Sequence, residues 1–200
     1  PLPVEPGRSP TPTVAVVGRL VPHKQVEHAI DAVLALRERW PDLVLQIVGS
    51  GWWEARLHDY ARERGAGEAV TFLGHVDETV KHQVLERAWV LALPSLKEGW
   101  GLVVGEAGMH QTPTVAYRDA GGTQESVVDG FSGVLVEDRE GFVAALDTLL
   151  GDAELRARLG RGAEVTSHAF TWEHAQESFA TVIRAALRGA RVDALDPVGE

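Results

Sequence analysis

From Thr13 onward, short apolar runs alternate with longer stretches whose apolar residues recur at helical spacing. The first run, Thr13-Val14-Ala15-Val16-Val17, is β-branched and ends at Gly18, the pattern of a buried strand. Between Lys24 and Trp40, the residues Val26, Ala29, Ile30, Val33, Leu36 and Trp40 mark one helix face, with Glu27, Asp31 and Glu38 between them. Pro41 stops that helix. Further strands are expected over 43–48, 70–73, 90–93, 113–117 and 133–136. Helices are expected over 53–64, 78–88, 102–111, 123–128, 139–150, 153–159 and 172–187. Strands alternating with helices imply parallel β-α-β units, and so an α/β fold with a doubly wound parallel sheet flanked by helices. Glycine turns gather where strands hand over to helices, which is where open α/β sheets bind ligands.

Pro1, Pro3, Pro6, Pro10 and Pro12 make residues 1–12 extended and helix-incompatible, so they are expected to form a linker. A single domain is expected over 13–188, followed by a tail over 189–200. The chain starts at Pro1 and its one methionine is Met109, as in the second half of a longer protein; a processed or tagged N-terminus is the alternative.

At 200 residues, 44% hydrophobic and 24% charged, the chain is long enough to bury a core without staples. Nineteen basic against 29 acidic side chains leave a net charge of −10, which argues against nucleic acid and anionic membrane as partners. A local basic site for a small phosphate stays open. With no cysteine, disulfides, thiolate zinc sites and cysteine nucleophiles are excluded. The apolar stretch Ala88-Trp89-Val90-Leu91-Ala92-Leu93 is far too short for a transmembrane segment, and the first twelve residues lack the apolar core of a signal peptide. A soluble, cytoplasmic domain is expected.

The eight histidines nowhere show the i, i+2 or i, i+4 spacing of a metal pair, and no Asp-x-Asp occurs, so neither a metal nor another cofactor is expected. Gly49-Ser50-Gly51 follows a strand and precedes a helix. The third glycine of a dinucleotide fingerprint is absent, because Glu54 stands there, so a capping turn that lets a ligand approach is the better reading. In Gly18-Arg19-Leu20-Val21-Pro22-His23-Lys24, two cations stand at the carboxyl end of a strand and the start of a helix. The helix dipole favours anions there, so the pair points to a shared anionic ligand; a solvated surface pair fits the same residues equally well.

The segment from Leu93 to Ala107 is the richest. Glu98 lies in the loop after a strand, and Gly99 and Gly101 let backbone press against a ligand. Glu106 falls about 6–8 Å further along the helix that begins near Gly101. Two carboxylates bracketing an anion-binding helix start would accept hydroxyls on both sides of a diphosphate. In the alternative, Glu98 caps the helix and Glu106 is solvated.

Glu98 and Glu106 form a Glu-x7-Glu element inside Pro-Ser-x-x-Glu-Gly-aromatic-Gly-Leu. This resembles the nucleotide-sugar-binding half of retaining glycosyltransferases with the GT-B fold, glycosyltransferase family 4 (group 1). Matching segments follow in order: Gly18-Arg19-Leu20 with Lys24, Val48-Gly49-Ser50-Gly51, Val70-Thr71-Phe72-Leu73-Gly74, Gly121-Gly122-Thr123-Gln124-Glu125, Asp129-Gly130 with Gly133-Val134-Leu135-Val136, and Phe170-Thr171-Trp172. They cover nearly the whole domain. Gln25 and Trp100 stand where that family usually has Gly and Phe, and Gly108, His110 and Gln111 interrupt its small-residue helix.

The resemblance implies one Rossmann-like domain, half of a GT-B fold, that binds the donor of a sugar transfer to an unidentified acceptor. Arg19 and Lys24 would bind the donor diphosphate, Glu98 would act at the donor sugar as the catalytic residue, and Glu106 would accept the ribose hydroxyls. The backbone of Gly99, Trp100, Gly101, Leu102 and Val103 would hold sugar and phosphate. Leu73, Gly74, His75 and Val76 would face the base. The partner would be a nucleotide sugar, no metal would be needed, and an acceptor-binding domain would precede residue 1, so that this chain alone would be an inactive half. A non-catalytic nucleotide-binding or regulatory module, and half of a GT-B-like nucleotide-sugar epimerase, are the alternatives.

Overall fold

The computed structural model describes residues 7–169 and 172–188. Six strands form one parallel sheet: β1 (Thr13–Val17), β2 (Val44–Val48), β3 (Val70–Gly74), β4 (Val90–Leu93), β5 (Thr114–Tyr117) and β6 (Gly133–Val136). Their order is β3-β2-β1-β4-β5-β6. The helices of the described residues are α1 (Val26–Leu36), α2 (Glu54–Glu63), α3 (Glu78–Arg87), α4 (Leu102–Gly108), α5 (Thr123–Ser126), α6 (Arg139–Gly151), α7 (Ala153–Ala169) and α8 (Trp172–Leu187). This is the doubly wound α/β architecture that the alternating pattern predicts.

Both faces of the sheet are covered, which is why β1 and β4 are apolar at nearly every position and wholly buried. Val14, Val16, Val90 and Ala92 point into a core shared with Ile30 and Val33 of α1, Leu57 of α2 and Leu146 of α6. Ala15, Val17 and Leu91 point the other way, against Val84 and Leu85 of α3 and Ala107 of α4. Strand order reverses between β1 and β4. The loops after these two strands therefore diverge to opposite faces and leave a crevice at the carboxyl edge, the topological switch point where such sheets bind ligands.

Several helix boundaries differ from the sequence reading. The helix expected from Lys24 is divided into a 3-10 turn, Pro22–Lys24, and α1, because Gln25 between them is left-handed at φ 46°. The helix expected to stop at Leu159 runs on as α7 through Gly160 and Gly162. These glycines serve close approach: a Cβ on Gly160 would lie 2.2 Å from Gln111 O, and one on Gly162 would lie 1.9 Å from Phe131 O. The first helix does not reach Pro41: α1 ends at Leu36, and turns in which Arg39 and Trp40 N–H donate to Leu36 O follow it. The helix expected over 102–111 ends as α4 at Gly108, ahead of the left-handed Gln111 at φ 55°, and the one expected over 123–128 ends as α5 at Ser126. Residues 1–6, Phe170, Thr171 and the expected tail lie outside the described residues. From Gly7 the chain is tied down: Arg8 donates to backbone carbonyls of Glu86, Ala88, His110 and Gln111 and to Thr112 Oγ1, and Trp89 Nε1 donates to Ser9 O.

Candidate functional site

The crevice between the β1 and β4 loops and the cleft that adjoins it gather seven of the singled-out positions: Arg19, Lys24, Glu98, Trp100, Gly101, Leu102 and Val103. The Gly18–Lys24 segment leaves β1 and is braced from below, since Leu20 N–H donates to Ser50 O and Trp53 N–H to Leu20 O. Gly51 permits this approach, because a Cβ there would lie 2.2 Å from Leu20 O. The loop after β4 is pinned to the same segment by Leu96 N–H donating to His23 O at 2.8 Å. Glu98 N–H donates to Ala120 O at 2.6 Å, and Gly122 N–H donates to Glu98 O at 3.2 Å. The Glu98 and Gly121 loops thus touch, and Gly122 is required by the contact, since its Cβ would fall 1.8 Å from Gly99 O.

These backbone ties bury Glu98, whose side chain is 7% exposed, and bring Lys24 Nζ to 2.5 Å from its Oε1. The Ser95 hydroxyl, itself buried, donates to the same oxygen at 2.6 Å. A buried carboxylate needs such partners, because desolvation without them costs several kcal/mol. Oε2 accepts no hydrogen bond from the described residues. Glu98 caps no helix: the N-cap of α4 is Gly101, left-handed at φ 78°, with no side-chain cap. Arg19 shares the crevice with Lys24 and Ser95, yet its guanidinium is exposed and has no partner among the described residues. An unpaired cation thus lies beside a cation already compensated by a carboxylate. Lys24, Glu98, Trp100, Gly101, Leu102 and Val103 line an adjoining open cleft of about 460 Å³ with Val17 and Gly18.

Glu106 sits apart from that cleft lining, further along α4. Its side chain is 28% exposed, and its Oε1 accepts from Lys81 Nζ of α3 at 2.9 Å, so it is not simply solvated. Lys81 also reaches Glu78 Oε2 at 2.7 Å. Burial opposes the charge of Lys81, but hydrogen bonds to Glu78 and Glu106 outweigh it and raise its pKa. At the end of β3, Gly74 turns the chain with φ 65°; Leu73 and Val76 pack against the same apolar cluster as Val103, and His75 is exposed.

Where α1, β5 and α6 meet, the buried His28 lies between a half-buried Tyr117 and an exposed Arg139. Arg139 donates to His28 Nε2; arginine has no acceptor, so Nε2 accepts and Nδ1–H donates to Tyr117 Oη at 2.9 Å. Burial and then the Arg139 charge hold His28 below its ordinary pKa, while burial pushes Tyr117 up to about 12. Sequence reasoning assigned no role to Ser95 or Lys81. Ser95 had the signal of lying three residues before Glu98; Lys81 had none, since its contact with Glu106 crosses 25 residues. Among the described residues no three His, Asp or Glu side chains cluster as metal ligands, and no helix is long and apolar enough to cross a membrane.

Comparison with known proteins bears on the fold and the family of the chain. The chain is 39% identical over 180 residues to a glycogen synthase of Mycobacterium tuberculosis, covering 88% of this chain and 43% of that protein. It is 36% identical over 192 residues to a D-inositol 3-phosphate glycosyltransferase of Nocardia farcinica, covering 90% and 42%. The chain thus spans less than half the length of these relatives. The solved structure of Anabaena HepE in complex with UDP-glucose superposes with a TM-score of 0.77 at 25% identity, covering 88% of this chain and 49% of that one. A family model described as glycosyl transferases group 1 matches residues 4–166, and the chain belongs to that family.

Proposed function

We propose that this chain is the donor-binding half of a retaining glycosyltransferase of family 4, which moves a sugar from a nucleoside-diphosphate sugar to an acceptor held by a second domain. The observation that carries the reading is the switch-point crevice itself. There a buried carboxylate, Glu98, is fixed by Lys24 and Ser95, beside the unpartnered cation of Arg19. Cleavage of a sugar–diphosphate bond leaves positive charge on the anomeric carbon and negative charge on the departing oxygen. Arg19 and Lys24 answer the second, and a fixed, water-poor Glu98 answers the first.

On this reading Glu106 accepts the ribose hydroxyls, backbone from Gly99 to Val103 holds sugar and phosphate, and the turn from Leu73 to Val76 faces the base. No metal is required, because protein cations and amides stabilise the leaving diphosphate. The HepE complex with UDP-glucose and the glycosyltransferase relatives support a nucleotide sugar as the ligand class.

Calorimetry of the chain against UDP, GDP, ADP and their sugar conjugates, each with and without Mg²⁺, tests the proposal. Binding of one of these bases with an affinity indifferent to Mg²⁺ is expected. Absence of any nucleotide binding, or binding that requires Mg²⁺, would sink it.

A further inference from the structure

Glu98 and Glu106 are held in the same manner by lysines from different elements. Lys24 takes Oε1 of Glu98, and Lys81 takes Oε1 of Glu106 at 2.9 Å across the α3–α4 interface. Lys81 is the more buried partner of its contact, 15% exposed against 28% for Glu106. Beneath them Val84, Leu85 and Ala107 pack into one apolar cluster, so the two helices form a firm base for the ion pair. Oε2 of Glu106 accepts nothing from the described residues. A glutamate has three side-chain torsions, and anchoring one oxygen removes most of their freedom while leaving the second oxygen open to a hydroxyl. Lys81 is poorly placed to be a phosphate ligand instead, because two carboxylates, Glu78 and Glu106, hold its ammonium, and unlike Lys24 it does not line the cleft beside Glu98.

We propose that Lys81 is a positioning residue: it fixes the Glu106 carboxylate across α3 and α4, and thereby sets the preference of the site for a ribose with free hydroxyls. The inference rests on the reading of Glu106 as the ribose acceptor. It makes the β3–α3 side of the domain a determinant of nucleotide selectivity without direct contact between Lys81 and the nucleotide.

The test is calorimetry with UDP, 2′,3′-dideoxy-UDP and uridine on the parent chain and on Lys81→Met, Lys81→Arg, Glu78→Gln and Glu106→Gln. The parent is expected to prefer UDP over dideoxy-UDP by about tenfold or more, as for hydrogen bonds to a charged group. Lys81→Met should reduce that preference to within about threefold, while Lys81→Arg and Glu78→Gln retain it. The UDP-to-uridine ratio should not change in Lys81→Met. If Lys81→Met does not fold, Lys81→Gln takes its place with the same expectation.

Full ribose preference in Lys81→Met, together with its loss in Glu106→Gln, overturns the positioning role and leaves the ribose reading standing. Full preference in both variants overturns the ribose reading, and this proposal with it. A fall in the UDP-to-uridine ratio in Lys81→Met, with ribose preference intact, makes Lys81 a phosphate ligand and also overturns the proposal. Where the parent binds GDP or ADP in place of UDP, the dideoxy and nucleoside forms of that base are used with the same expectations, and failure to bind any of the three diphosphates overturns the ribose reading and this proposal with it.

Discussion

Gln25 holds a left-handed backbone conformation, φ 46° and ψ 42°, at the junction that presents Lys24 to Glu98. A side chain in that region costs about 1–2 kcal/mol relative to glycine. Gln25→Gly should therefore raise unfolding stability by about 1 kcal/mol, less than the full relief because glycine loses more entropy on folding. Urea unfolding measures this, and a loss of stability would contradict the strain. At the same junction Ser95→Ala removes one of the two donors to a buried carboxylate oxygen. It should cost about 1–3 kcal/mol and weaken binding of a sugar conjugate more than that of the free diphosphate; equal effects on both ligands would separate Glu98 from the sugar. Arg19, Lys24, Glu98 and Glu106 were legible as candidates because cations and carboxylates at strand-to-helix turns stand out in a linear reading. The pairing of Lys24 with Glu98 was not, since 74 residues separate them and the parallel pairing of β1 with β4 is what brings their loops together.

The central strands were legible almost to the residue, because burial on both faces forces short, nearly unbroken apolar runs. Helix ends were less so where glycine does two jobs. Gly160 and Gly162 look like terminators in sequence but are contact points where α7 crosses other backbone. Gly122 belongs to the same class, so Gly122→Ala should force the Gly99 loop away and cost about 1–3 kcal/mol, as overpacking does. Thermal melts and binding of a sugar conjugate report both effects, and an unchanged melt would contradict the contact. The junction of α1, β5 and α6 has a pH dependence of definite sign. His28 titrates below its ordinary value when folded, so between that lowered pKa and about 6.5 the unfolded chain binds more protons. Its contribution is full above about pH 6.5 and is lost as the pH falls through the folded pKa. His110, held low by burial and by His82, acts with the same sign. The stability difference between the parent and His28→Gln should therefore shrink from pH 8 to pH 5.5; a constant difference would contradict a neutral, buried His28.

At the scale of the whole molecule, alternation of strands and helices was enough to indicate a doubly wound sheet. The strand order was not readable, because it depends on which face each crossover takes, and periodicity carries no record of that. The order matters, since it sets the switch point between β1 and β4 that gathers Arg19, Lys24 and Glu98, with Glu106 apart along α4. Lys24, Glu98 and Trp100 line an open cleft, and on the proposed reading these residues supply one wall of it. Closing such a cleft excludes water and positions an acceptor, effects that contribute several kcal/mol of rate enhancement. The 200 residues should therefore bind donor without steady turnover, and transfer with retained configuration should require a second domain. Multiple turnovers by this chain alone, with a panel of nucleotide sugars and simple acceptors, would contradict that division.

The most direct measurement is a calorimetric titration of the parent and of Arg19→Ala with UDP and, separately, with uridine. If the unpartnered guanidinium in the switch-point crevice takes the diphosphate, Arg19→Ala should weaken UDP binding by about 1.5–3 kcal/mol and leave uridine binding nearly unchanged. Equal losses for UDP and uridine, or no loss for UDP, would contradict a diphosphate site at the carboxyl edge of β1.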